Sequence, residues 1–121
     1  ATYRYEPGVW DGPLVVLVDG GTASASEGFA AQLRDAGAAR IVGARTYGAG
    51  CGYVNGGIPL QLPHSGLQVR MPDCARLRTD GTNEVAGLAP DVDAGWAEGD
   101  DDAVRAAKAV RVIAAAVERE T

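Results

Sequence analysis

The sequence predicts an α/β fold, and three features of its first half predict it. A continuous apolar run, Leu14 to Val18, stops abruptly at Asp19-Gly20-Gly21, the pattern of a strand buried on both faces. Phe29, Ala30, Leu33 and Ala36 or Gly37 then recur at helical spacing. The short segment RIVGA, from Arg40 to Ala44, follows as a second strand. Strand, tight turn, helix and strand form a βαβ unit, which is normally right-handed.

The 121 residues suffice for one domain, so a single domain over 1–121 is expected. The sequence opens ATYRYEPGVW without an initiator Met and reads as a fragment or a processed product. A composition 46% hydrophobic and 22% charged is that of a globular chain rather than a disordered one. No apolar run approaches the ~20 residues a bilayer span requires. The net charge of −5 argues against a nucleic-acid partner, because phosphate binding needs clustered Lys and Arg.

The first twelve residues are polar and aromatic, with turn signals at Pro7-Gly8 and Asp11-Gly12. After the first strand, Ser24-x-x-Glu27 reads as a capping box and Gly37 as the stop of the helix between them. A Gly-rich loop runs from Gly48 to Gly57. Ile58–Leu62 and Leu67–Met71 alternate at period two around Pro63-His64-Ser65-Gly66, the pattern of a hairpin. Residues 78–91 read as a loop with its own turn at Asp80-Gly81. A second helix is expected from Asp100 to about Glu118. Asp100, Asp101 and Asp102 favour its positive end. Val104, Ala107, Val110, Ile113, Ala114 and Val117 supply an apolar face. Trp10 and Trp96 read as packing residues. Cys51 and Cys74 lack the spacing of a zinc site. They are expected to lie within bonding reach, as a disulfide or as two thiols.

The chemically suggestive segment is VLVDGGTASASE. A Gly-rich turn leaves a strand and delivers Ser24 to the start of a helix, where unpaired N–H groups and the positive dipole end lie. That geometry can expose a nucleophilic hydroxyl beside an N–H placed for an oxyanion. Small neighbours, Ala23 and Ala25, let a substrate backbone come close. The same residues also describe a plain cap without chemistry. Thr22 and Ser26 compete with Ser24 for the nucleophile's role.

In order, VLVDGGTASASE, AGAARIVGARTYGAG, IPLQLPHSGLQVRMP and RTDGTNEVAGLAPDV resemble the core of the tail-specific, or C-terminal processing, serine peptidases, over roughly residues 13 to 93. The resemblance implies Ser24 as nucleophile, three residues before the motif glutamate, Glu27. Many members carry a Lys base in a T-F-G-K-G string. Here that string is Thr46-Tyr47-Gly48-Ala49-Gly50, and Ala49 cannot accept a proton. The tricorn-like branch also lacks this Lys and takes its base, a His, from an earlier segment, so it is the nearer match. Its E-x-x-G string matches Glu84-Val85-Ala86-Gly87. Glu84 is thus the candidate auxiliary carboxylate, with a solvated loop Glu as the alternative. The only histidine, His64, falls in the hairpin turn and reads as a surface residue rather than the base. Arg45 either pairs locally or contacts substrate.

The resemblance further implies a ClpP/crotonase-like superhelix, with this chain as the C-terminal half of the catalytic domain and the upstream part outside it. It implies acyl transfer, with the Ala25 N–H as one oxyanion donor and the other supplied upstream. Gly48 and Gly50 would contact substrate, an extended peptide lying beside a strand. No metal or organic cofactor is implied, and an extracytoplasmic location is. The rival readings are a non-catalytic peptide-binding relative and a crotonase-like acyl-binding domain.

Overall fold

The computed structural model describes residues 4, 7–52 and 59–118. Strand β1 (Val15–Val18), helix α1 (Ala25–Asp35) and strand β2 (Arg40–Gly43) form the expected βαβ unit. β1 and β2 are parallel, with Val16 opposite Ile41 and Val18 opposite Gly43. A short hairpin follows, β3 (Leu60–Gln61) against β4 (Gln68–Val69). A 3-10 turn (Glu84–Ala86), strand β5 (Val92–Asp93) and helix α2 (Asp102–Glu118) complete the chain. β5 pairs with β2 in parallel, so the sheet order is β1-β2-β5.

Side-chain alternation divides the core between the two faces of this sheet. Val18 and Ile41 pack with Ala30 and Ala31 of α1 and with Leu88, and the half-buried Val16 joins them. Leu17 and Val42 have the opposite parity, the side left for α2. Ile41 and Val42 are wholly buried, each worth roughly 1.5–3 kcal/mol by area. Burial of β1 on both faces is not observed: Leu14 is 39% and Leu17 46% exposed. β2 is flanked by strands on both sides, whereas β1 pairs only with β2 among the described residues.

α1 stops where the glycine required it. Gly37 takes φ 65, its N–H bonds the Arg34 carbonyl, and the Ala38 N–H bonds the Leu33 carbonyl, a Schellman closure. Asp35 sits unfavourably at this negative helix end. Arg78 compensates, with Nε 2.8 Å from Asp35 Oδ2, and this hydrogen bond holds the Asp35 carboxyl below its usual value.

β5 was not foreseen beyond the predicted loop. Asp91 explains its register: the Asp91 carboxylate accepts the Ile41 N–H at 2.8 Å, and the Asp91 N–H bonds the Ile41 carbonyl. Arg34 of α1 reaches the same segment, donating to the Ala89 carbonyl at 2.6 Å.

The face of α2 matches the expected one at Ile113 and Val117, which are half-buried, and differs from it elsewhere. Ala109 and Ala116 are the buried residues, while Val104 and Val110 are 41% and 66% exposed. Small side chains let the helix backbone approach the sheet. Flanking cations add their own partners: Arg105 lies 4.4 Å over the Trp96 ring, and Lys108 pairs with Asp100 at 2.6 Å. The Asp101 carboxylate caps the helix through the Val104 N–H. Trp96 packs as expected, donating its indole N–H to the Arg105 carbonyl. Trp10 does not; it is 70% exposed, with its ring beside Gly12.

The hairpin exists, but its paired arms are shorter than predicted, and their residues are exposed. Ile58 lies outside the described residues. The Asp80-Gly81 turn is present, with Gly81 at φ 83. Cys51 and Cys74 are disulfide-bonded, with Cα atoms 5.5 Å apart.

Gly43 ends β2 at φ 124, and a Cβ there would lie 1.9 Å from the Val18 carbonyl oxygen. Gly43→Ala should therefore cost at least about 2 kcal/mol in chemical denaturation of the protein carrying this chain. A loss within about 0.5 kcal/mol, the range of neutral surface changes, would contradict this packing.

Candidate active site

The turn after β1 is closed by Asp19 and Thr22. Asp19 Oδ1 accepts from the Gly21 N–H at 2.9 Å, the Thr22 N–H at 3.1 Å and the Thr22 hydroxyl at 3.2 Å. Thr22 Oγ1 in turn accepts the Asp19 N–H at 3.0 Å. The Thr22 hydroxyl is thus engaged as donor and as acceptor, a turn device.

The chain next reaches Ser24 at φ 55 and ψ −117. It is the one non-glycine with positive φ among the described residues. Such a conformation costs about 1–3 kcal/mol and persists only where the surroundings impose it. Here the restraint is visible: the Ser24 N–H donates to Glu27 Oε2 at 3.0 Å. In the following turn the Ser26 N–H bonds the Ala23 carbonyl and the Gly28 N–H bonds the Ser24 carbonyl. The Ala25 N–H has no hydrogen-bond partner among the described residues. Ser24, Ala25 and Ser26 are all exposed.

Beneath them Glu27 is 2% exposed. Besides Ser24, its carboxylate accepts from the Thr46 hydroxyl at 2.5 Å, the Gly48 N–H at 2.6 Å and the Ala49 N–H at 2.9 Å. Burial pushes this carboxyl's pKa up, but the bonds from Thr46, Gly48, Ala49 and Ser24 together outweigh it and hold the group below its ordinary value. Thr46, itself buried, also accepts the Leu88 N–H at 2.7 Å. The Tyr47 N–H bonds the Thr22 carbonyl at 2.9 Å. The T-Y-G-A-G string is therefore fastened both to the turn before Ser24 and to the helix after it.

Gly48 and Gly50 make close backbone approaches, and they make them to the 3-10 turn. A Cβ on Gly48 would lie 2.6 Å from the Val85 carbonyl oxygen, and one on Gly50 3.3 Å from the Val85 N. Gly87 approaches the Thr46 carbonyl in the same way. Arg45 pairs locally, donating to the Ala86 and Gly87 carbonyls at 3.1 and 3.2 Å.

Glu84 is 8% exposed, so it is not a solvated loop residue. Its carboxylate pairs with Arg76 at 3.1 Å, and the Arg76 guanidinium lies over Gly28 in the first turn of α1, where a Cβ would be 2.6 Å away. Glu84 also lines a cavity of about 450 Å³ with Asp35, Arg76 and Arg78. His64 is exposed in the hairpin turn. A second, open cleft of about 390 Å³ runs along β1, lined by Val16, Leu17, Thr22, Ala25, Ser26 and Phe29.

The sequence had marked Ser24, Ala25, Gly48 and Gly50, and the structure brings them to one corner through Glu27. What sequence reasoning missed was Glu27 as the hub, Thr46 as its bridge to Leu88, and Arg76. The signal for the first two was present in the S-x-x-E and T-Y-G strings, but their contact is tertiary.

Comparison with known proteins identifies the framework. The model of peptidase family S41 matches residues 1–94. The chain belongs to that family. A stretch of 40 residues is 58% identical to a carboxyl-terminal-processing protease of Picosynechococcus sp., covering 33% of this chain and 10% of that protein. Two solved structures of mature CPAF share the fold. One matches with TM-score 0.63 at 24% identity, over 89% of this chain and 21% of that chain. The other, a complex with lactacystin, matches with TM-score 0.67 at 25% identity, over 94% and 23%. The chain thus spans less than a quarter of each of these relatives. No helix among the described residues is long and apolar enough to cross a membrane.

The hydrogen bonds to Glu27 predict acid sensitivity of this turn. A carboxyl whose folded pKa is depressed stabilises the fold above its unfolded value and loses that contribution as pH falls through the folded value. Glu27→Gln removes the charge and mismatches N–H donors, and should cost about 2–4 kcal/mol at pH 7. The difference from wild type should shrink as pH falls below the ordinary value of 4.5. A penalty independent of pH would show that the carboxylate's charge plays no part.

Proposed function

We infer that this chain is the nucleophile-bearing part of a serine peptidase that cleaves extended peptides through an acyl-enzyme. The observation that supports it most is Ser24 itself: an exposed hydroxyl on a residue at positive φ, with the unpaired Ala25 N–H next to it. Strain of this kind clusters at functional sites. Ser26 lacks it, and the Thr22 hydroxyl is engaged with Asp19.

In this reading Ser24 Oγ attacks the scissile carbonyl carbon while its proton passes to a base. The Ala25 N–H donates to the oxyanion that forms, together with a second donor from outside the chain. The C–N bond breaks, the amine leaves with the proton, and water hydrolyses the acyl ester. Ala49 cannot serve as the base, and its N–H is engaged with Glu27. His64 lies on a hairpin not paired with the sheet that carries Ser24. The base is therefore a histidine of an upstream segment, as in the tricorn-like branch, within a ClpP/crotonase-like superhelix. Glu84 acts as the auxiliary carboxylate at one remove, through Arg76 and Gly28. Gly48 and Gly50 shape the loop that borders the substrate, and the peptide lies beside β1 in the cleft. This reading agrees with the extracytoplasmic location that the family resemblance favours.

Ala49 supports one rival, a peptide-binding relative without catalysis. A fluorophosphonate separates the two. The intact protein should be labelled, and Ser24→Ala should abolish labelling. Labelling that survives in Ser24→Ala but vanishes in Ser26→Ala would move the nucleophile, and no labelling at all would favour the binding module.

The base is tested separately. The isolated 121-residue chain should hydrolyse peptides no faster than its Ser24→Ala form. The intact protein's activity should rise through a pKa near 6.5, the ordinary histidine value. Ser24-dependent cleavage by the isolated chain would bring His64 back as the base, or assign that role to a lysine such as Lys108.

A further inference from the structure

The two segments that meet α1's first turn are joined by the disulfide. Cys51 directly follows the T-Y-G-A-G string, whose Gly48 and Ala49 N–H groups hold Glu27. Cys74 stands two residues before Arg76, which pairs with Glu84 and covers Gly28. Beside the bridge, the Asp73 N–H bonds the Gly52 carbonyl at 3.1 Å. Both cysteines are only half-buried, and their neighbours Gly52, Asp73 and Ala75 are exposed. The bridge therefore lies where a small thiol can reach it. The apolar cluster of Val18, Ala30, Ala31, Ile41 and Leu88 includes neither cysteine.

We propose that the Cys51–Cys74 disulfide is a thiol-exchange site that regulates the Ser24 site. Oxidised, it closes a loop of sequence separation 23 and holds the Glu27-binding amides and Arg76 against α1 together. A dithiol reductant attacks one sulfur as its thiolate and forms a mixed disulfide. That attack expels the other cysteine as a thiolate; the reductant's second thiol then attacks the mixed disulfide and releases the first cysteine, leaving two protein thiols and one oxidised dithiol. Reduced, the two segments lose their tie. The Gly48 and Ala49 amides then leave Glu27 more often, and the restraint on Ser24 weakens. The regulated activity rests on the peptidase reading above, whereas the loosening of the loop does not.

The test uses the intact protein under native conditions, with dithiothreitol as the reductant and maleimide mass shifts to count thiols at Cys51 and Cys74. Reduction should slow fluorophosphonate labelling of Ser24 by about tenfold or more, since small misplacements of reacting groups carry such costs. Reoxidation by glutathione disulfide should restore it. Amide hydrogen exchange at Gly48 and Ala49 should speed up on reduction, while exchange in β2 stays unchanged. A Cys51→Ser/Cys74→Ser variant should match the reduced protein and ignore dithiothreitol; the reversible reduction of wild type does not depend on that variant folding. If the oxidised protein fails to label at Ser24, the peptidase reading falls, and exchange at Gly48 and Ala49 still decides the switch. Cysteines that stay unreduced under native conditions, or exchange there that is the same in both redox states, would overturn the proposal.

Discussion

A buried carboxylate with four donors organises this molecule's functional corner. Glu27 is taken out of water, which is unfavourable for a charge unless hydrogen bonds replace the solvent. The Thr46 hydroxyl and the amides of Ser24, Gly48 and Ala49 do so. The net lowering of its pKa shows which effect is larger. Because each donor belongs to a different part of the turn or loop, satisfying one charge fixes several backbone positions at once. The positive φ of Ser24 is one of them, and the path of the T-Y-G-A-G string is another.

That string transmits the restraint outward through backbone contact. Gly48 lies against the Val85 carbonyl and Gly87 against the Thr46 carbonyl, at distances that a side chain would block, and Gly50 fits tightly against Val85. Thr46 carries the connection onward by accepting the Leu88 N–H. Leu88 belongs to the apolar cluster, and Asp91 a few residues later docks on Ile41. The polar hub and the apolar core are thus consecutive along one chain segment.

The parts of this arrangement legible in the sequence are those set by local rules. The Leu14–Val18 run, the helix from Ser24 to Gly37 and the Asp80-Gly81 turn each follow from neighbours within a few residues. Ser24 stood out because a glycine-rich turn, a helix start and a family motif coincide there. What stayed hidden depends on distant partners. The fully buried positions of α2 are Ala109 and Ala116, while Val104 and Val110 of the expected face are exposed. β5 is two residues long, and its pairing is fixed by the Asp91 carboxylate 50 positions from its partner. Glu27 read as a helix cap because that half of its bonding is local; the other donors arrive from about twenty residues away.

The apolar core helps explain why a charged hub is used at all. Among the described residues only Ile41 and Val42 are large and fully buried, and much of the remaining interior is alanine. Dispersion among such small side chains is spread over few contacts and has no directional preference. It can hold α1 on the sheet, but it gives no directional restraint that would fix a strained serine and a glycine loop in one conformation. Hydrogen bonds to a single ionised group are directional and stronger than neutral ones. They also concentrate the consequences of failure. A lost methyl group in the core removes a fraction of the packing, whereas a neutralised Glu27 releases its donors together. Precision at the site and sensitivity of the site to protonation therefore have the same physical origin.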